Sequence, residues 1–111
     1  MKDIIVCGGR DYSDWDKVLK VLSLLDIGLI VQGGAKGADA LARRYAEWAN
    51  IPLKTFEADW DKYGKTAGPI RNRLMVIEHP NAVVIAFPGG RGTANCIEQA
   101  LKKGMIVLEI K

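Results

Sequence analysis

Two glycine-rich segments carry the residues best suited to chemistry in this chain. The apolar run Ala82-Val83-Val84-Ile85-Ala86 leads into Phe87, Pro88, Gly89, Gly90, Arg91, Gly92 and Thr93. Leu29-Ile30-Val31-Gln32 leads in the same way into Gly33, Gly34, Ala35, Lys36, Gly37, Ala38 and Asp39. A buried strand that breaks at paired glycines and continues as a helix aims free backbone N–H groups and a positive helix end at one point. Phosphate is the ligand that such a point attracts. A single glycine serves a tight strand-to-helix turn on its own account. Paired glycines with a basic residue in each turn, Lys36 and Arg91, fit backbone approach to an anionic ligand. Gly8-Gly9-Arg10 repeats the pattern after the first apolar run, and Arg71, followed by Asn72, falls in the first turn of a predicted helix.

Other chemistries find little support. Gly64-Lys65-Thr66 imitates the end of a P-loop, but that motif needs a glycine five residues earlier, where this chain has Asp59. Neither glycine turn fits G-x-G-x-x-G, so the usual dinucleotide fingerprint is absent and no cofactor is expected. His79 is the one histidine, and no spaced His/Cys cluster of the kind zinc requires is present, so no metal site is expected. Cys7 and Cys96 form no C-x-x-C pair and read as small buried residues, kept reduced in a cytoplasmic setting. The net charge of +3 is too small to indicate nucleic acid without clustered lysine and arginine. No apolar run approaches the roughly 20 residues of a membrane helix, and the N-terminus lacks the pattern of a signal peptide, so a cytoplasmic protein without membrane partners is expected.

The elements that position these residues follow from hydrophobic periodicity. With 111 residues, one domain spanning 1–111 is expected. Ile4 to Cys7 reads as a strand buried on both faces. A helix follows from a capping-box-like Ser13 and Asp16, with Trp15, Val18, Leu19, Leu22 and Leu25 as its apolar stripe. Strand two is Leu29 to Gln32, and the next helix spans about Ala38 to Asn50, striped by Ala38, Leu41, Ala42, Tyr45 and Ala49. Pro52 to Phe56 is a weaker strand whose proline favours an edge. A polar stretch from Glu57 to Gly68 holds Trp60 and Tyr63, which can stack on a base or pack the connection down. Gly68-Pro69 then opens a helix with Ile70, Leu74 and Ile77 as its stripe. Strand four is Ala82 to Phe87, a helix spans about Thr93 to Lys103, and strand five is Met105 to Ile110.

Alternation of strands and helices predicts an α/β, Rossmann-like αβα sandwich with a five-stranded parallel sheet of order 3-2-1-4-5. Only the connection from Glu57 to Pro80 is long enough to carry the chain from one edge to the far side of the sheet. The switch point therefore lies between strands one and four, where ligands bind beyond the carboxyl ends of the strands. Gly8 to Arg10 and Pro88 to Thr93 flank that crevice, Gly33 to Asp39 is next to it, and Arg10, Lys36, Arg71 and Arg91 are expected to converge there.

Taken together, G-G-R-D-Y, G-G-A-K-G-A-D-A-L-A, A-D-W, A-G-P-I-R-N-R-L-M and F-P-G-G-R-G-T resemble the YspA/cpYpsA-related branch of the SLOG superfamily. That superfamily includes the lonely-guy phosphoribohydrolases, the DprA DNA-processing proteins and sensor domains for nucleotide-derived signals. The resemblance implies a Rossmann-like fold that binds a nucleotide or an ADP-ribose-like molecule, and a homodimer. In the phosphoribohydrolases R-K-x-x-M supplies an arginine, matched by Arg71 and Met75, and P-G-G-x-G-T-x-x-E supplies a phosphate turn and a catalytic acid. Pro88 to Thr93 match the turn, but the acid's position holds Cys96. Glu98 is two residues along, about 200° around a helix, and faces away. Binding is thus the leading expectation. Hydrolysis of an N-glycosidic bond is the alternative, with Arg71, Asp39 and Asp59 as candidates. Single-stranded DNA binding is disfavoured, because no basic stripe with interleaved aromatics is present.

Overall fold

The computed structural model describes residues Met1–Lys111. Strands β1 (Lys2–Cys7), β2 (Ile27–Gln32), β3 (Leu53–Thr55), β4 (Val83–Ala86) and β5 (Val107–Glu109) alternate with four long helices and one short one. The helices are α1 (Trp15–Ser23), α2 (Ala38–Ala49), α3 (Trp60–Tyr63), α4 (Ala67–Glu78) and α5 (Arg91–Lys102). All strand pairs are parallel and the order is β3-β2-β1-β4-β5, so the expected topology is the observed one. No helix is long and apolar enough to cross a membrane.

Alternation along the central strand divides the core in two. Ile4 and Val6 point to α1 and α2, joining Val18, Leu22, Ala42 and Tyr45; Ile5 and Cys7 point to the opposite face, joining Met75, Val76, Cys96 and Ala100 of α4 and α5. The registers Ile5↔Val84 and Cys7↔Ala86 bring the ends of β1 and β4 level, so the turns that follow them begin side by side. A two-faced apolar strand needs a helical layer on each side, which is why so short a chain carries a full sandwich.

Three local expectations need correction. Asp14, not Ser13, caps α1, its carboxylate accepting the Lys17 amide at 3.0 Å; both types cap well, and the cap depends on which residue takes the non-helical backbone. The stripe assigned to α4 was rotated. Leu74 and Ile77 are exposed, and the buried positions are Ala67, Gly68, Asn72, Met75 and Val76. The neighbouring α5 and the cavity take up the polar Asn72, so the buried face is not the most apolar one. Finally, Ala46 joins the buried face of α2, and Ala49 packs against the same core only in part. The polar stretch after β3 is not irregular throughout: α3 and a 3-10 turn at Gly64–Thr66 fold it against the start of α4.

Candidate functional site

At the carboxyl edge of the sheet, between the ends of β1 and β4, lies a cavity of about 450 Å³. Its walls come from Gly8, Gly9 and Arg10 after β1, Gly33, Ala35 and Asp39 after β2, Arg71 and Asn72 of α4, and Gly90, Arg91, Gly92 and Thr93 after β4. A second space of about 550 Å³ adjoins it, sharing Arg10, Gly33, Ala35, Trp60 and Arg71 and adding Gly34 and Lys36. The volumes fall in the range of small-molecule sites. Of the basic residues expected to converge, Arg10, Arg71 and Arg91 line the first cavity and Lys36 lines the neighbouring one. Lys65, the lysine of the P-loop look-alike, lines the first as well.

The two glycine turns turn out to be different devices. In the turn after β2 three amides are already used: Gly34 N–H donates to Gln32 Oε1, Ala35 N–H donates to Asp39 Oδ2, and Ala38 N–H donates to the Gly9 carbonyl. Gly37 has φ of +72°, and a Cβ there would sit 2.1 Å from the Gly9 oxygen, so this glycine lets the turn close on the first one. Gly8 likewise leaves room for α2, since a Cβ would stand 2.5 Å from that of Ala38. The β2 turn is thus a self-contained brace.

The turn after β4 is open. Gly89 is internally required, because a Cβ would meet Thr93 Oγ1 at 2.2 Å and the Gly9 nitrogen at 2.6 Å. Gly90 and Gly92 are not: a Cβ at either meets nothing within 4 Å, and both line the cavity. Gly90 is the N-cap of α5 and supplies no side-chain cap. The amides of the first turn of α5 therefore have no capping partner and carry the positive end of the helix dipole. Pro88 contributes its carbonyl, which accepts the Gly9 amide at 2.9 Å and locks the turn to β1.

Arg71 is held in place across this opening. Its Nη1 donates to the Gly33 carbonyl at 2.7 Å and its Nε to Asn72 Oδ1 at 2.8 Å, while Nη2 has no protein partner. Asn72 is buried and passes the constraint on, its Nδ2 donating to the Gly92 carbonyl at 3.2 Å and to Asn95 Oδ1 at 3.1 Å. One chain of hydrogen bonds thus fixes a guanidinium and the α5 turn relative to each other. Arg10 sits 5.3 Å from the centre of the Trp60 ring, and the ring packs on Gly68, so Trp60 forms the cavity's outer wall. Tyr63 lies outside both spaces.

The acidic candidates separate clearly. Asp39 lines the cavity and is 7% exposed. Burial pushes its carboxyl above the usual range, opposed by the Ala35 amide, Arg71, the Gly33 amide and Arg10. Asp59 lines neither space; it caps α3 by accepting the Lys62 amide at 3.1 Å. Glu98 pairs with Lys102 on the exposed side of α5. Cys96 is 1% exposed and faces the sheet with Thr93 and Ala100. It meets Cys7, which ends β1 and lines the cavity floor. Sharing its proton with Cys96, and then burial, push the Cys7 thiol up; accepting that hydrogen, and then the nearby Arg71, push Cys96 down.

Sequence reasoning missed Gln32 and Asn95. Gln32 is 1% exposed and braces the β2 turn through Gly34 and Thr55. Its signal was present: an amide closing an otherwise apolar strand must find partners inside. Asn95 lines the cavity four residues after Arg91, on the same face of α5, a spacing legible once the helix start is known.

The parallel sheet with helices on both faces and a ligand-sized cavity at its switch point defines a Rossmann-like α/β protein with its site outside the strand ends. Comparison with known proteins narrows the class. The model of the YspA, cpYpsA-related SLOG family matches residues 2–63. Gene 61 protein of Mycobacterium phage D29 is 38% identical over 120 residues, an alignment covering 97% of this chain and 95% of that protein. The chain belongs to the YspA, cpYpsA-related SLOG family. Membership implies a nucleotide-related ligand in general.

Proposed function

We propose that this protein binds a phosphorylated nucleotide derivative, a nucleotide or an ADP-ribose-like molecule, and acts by sensing, carrying or sequestering it. The observation that carries this reading is the pair Gly90 and Gly92. Gly92 lies in the first turn of α5, where glycine costs stability relative to alanine and finds its use where something comes close to the backbone, while Gly90 at the N-cap keeps the entrance to that turn bare. No protein atom comes close at either position, so the space above them is open to an incoming phosphate. The uncapped α5 amides, Arg91 and the free Nη2 of Arg71 would then hold it, and Trp60 offers a face for a base. Lys36 and Arg10, at the adjoining space, give a second anionic group somewhere to rest.

Hydrolysis of an N-glycosidic bond is the second reading, favoured by one feature: Asp39, a carboxyl raised by burial, lines the same cavity as Arg71. A carboxyl shifted upward by burial leans toward general acid rather than general base chemistry. Against it, the carboxyl is engaged with its own turn, and Cys96 stands where relatives carry the acid.

A thermal-shift screen over adenosine and guanosine mono-, di- and triphosphates, ADP-ribose and cyclic nucleotides tests both. Binding predicts stabilisation with the ligand recovered intact. Hydrolysis predicts free base and ribose phosphate, lost in Arg71→Ala. If no member of the panel stabilises the protein, the nucleotide reading fails.

A further inference from the structure

The sulfur at the cavity floor, Cys7, and its neighbour Cys96 have no part in the proposed phosphate cradle. Cys7 ends the central strand and Cys96 lies in the second turn of α5, yet the two side chains meet inside one apolar cluster, both as free thiols. Their surroundings differ in a way that matters chemically. Cys7 is a wall of the cavity, whereas Cys96 is buried behind it and lines neither this cavity nor the adjoining space. A small reagent in the cavity therefore reaches one thiol first and finds the second already in contact with it.

We propose that Cys7 and Cys96 form an oxidation site: hydrogen peroxide entering the empty cavity oxidises Cys7, and Cys96 closes the pair to a disulfide. In the first step the Cys7 sulfur, passing its proton to Cys96, attacks one peroxide oxygen and the O–O bond breaks. Cys7 becomes a sulfenic acid, and the departing hydroxide takes a proton to leave as water. In the second step the Cys96 sulfur, giving up its proton, attacks Cys7 Sγ. The S–O bond breaks and the hydroxide leaves with that proton as a second water. Two thiols lose two electrons, and one peroxide becomes two waters. Cys96, which accepts the Cys7 hydrogen and lies near Arg71, ionises before Cys7 does, so it serves as the base that takes the proton of the cavity-lining thiol as that thiol reacts. Entry is by the same opening a ligand would use, so occupancy shields the pair and oxidation marks the empty state. The inference requires the cavity as a route and is independent of which ligand fills it.

The test treats the reduced native protein with hydrogen peroxide, quenches by alkylation in denaturant, and maps the products by mass spectrometry. The expected result is loss of two hydrogens and one Cys7–Cys96 crosslinked peptide pair within a monomer. Cys96→Ala should stop at a sulfenic acid on Cys7, trapped by a 1,3-dione, and Cys7→Ala should leave Cys96 unoxidised. Gly92→Phe, at a position with no neighbour to displace, should fold and slow crosslinking by about tenfold or more by filling the route. Three results would overturn the proposal: thiols that react only after unfolding, disulfides formed only between molecules, or crosslinking at an unchanged rate in Gly92→Phe.

Discussion

Replacing Gly92 by alanine sets folding against binding at a single methyl group. The added Cβ meets no atom within 4 Å, so it introduces no clash. Glycine in a helix costs about 0.5–1 kcal/mol relative to alanine through the backbone entropy of the unfolded chain. Gly92 is the second residue of α5, where the turn is only partly constrained by intrahelical bonds, so the lower end applies. A gain of about 0.5 kcal/mol raises the melting temperature of a domain near this size by about 2–4 °C. The same methyl stands over the first-turn amides that would hold a phosphate. Affinity for the nucleotide giving the largest thermal shift should therefore fall about tenfold or more, about 1.4 kcal/mol. Calorimetry without ligand and titration with it read the two effects separately. A variant that melts higher and binds as well as the parent would refute the phosphate cradle, and one that melts lower would refute the open space above Gly92.

Other substitutions probe the supports of the site. Arg71→Ala removes charged hydrogen bonds to the Gly33 carbonyl and to Asn72, and should cost about 1.5–3 kcal/mol in chemical denaturation while abolishing the ligand-induced shift. Gly37→Ala forces a side chain onto a positive φ and against the Gly9 carbonyl, and should destabilise by more than about 1 kcal/mol, seen as a lower denaturation midpoint. Asp39 titrates above its usual 3.8, so the folded chain keeps its proton to higher pH than the unfolded chain does. Its contribution to stability is therefore full below that value and declines as pH rises through the folded value. Asp39→Asn should remove this decline, so the stability difference between parent and variant shifts across that window; a difference flat from pH 3 to pH 7 would contradict the assigned burial.

Much of the site could be read before any coordinates. The apolar runs at Ile4–Cys7 and Leu29–Gln32, each followed directly by glycine, and Val83–Ala86, followed by Phe87-Pro88-Gly89, mark three strands and where they stop, because a strand buried on both faces reads as a continuous apolar run. The long connection after β3 forces the crossover, and with it the switch point and the neighbours Gly8 to Arg10 and Pro88 to Thr93. The rotation of α4 was not legible. Ile70, Leu74 and Ile77 make the better apolar stripe, and only the packing of α4 against α5 and the cavity wall turns Asn72 inward.

What sequence alone determined, then, is topology and the edge of the sheet at which the candidate site residues gather, since both follow from periodicity and connection length. What the tertiary structure decided is how each residue there is used. Two glycine turns of similar composition diverge because the first is closed by Gln32, Asp39 and the Gly9 carbonyl, while nothing in the chain covers Gly90 and Gly92. Gln32 and Asp39 lie within four residues of the amides they accept from, while the Gly9 carbonyl comes from far along the chain, and only the folded turn shows which amides these groups reach. The same holds for Cys7 and Cys96, unremarkable apart in sequence and brought into contact only when β1 and α5 pack.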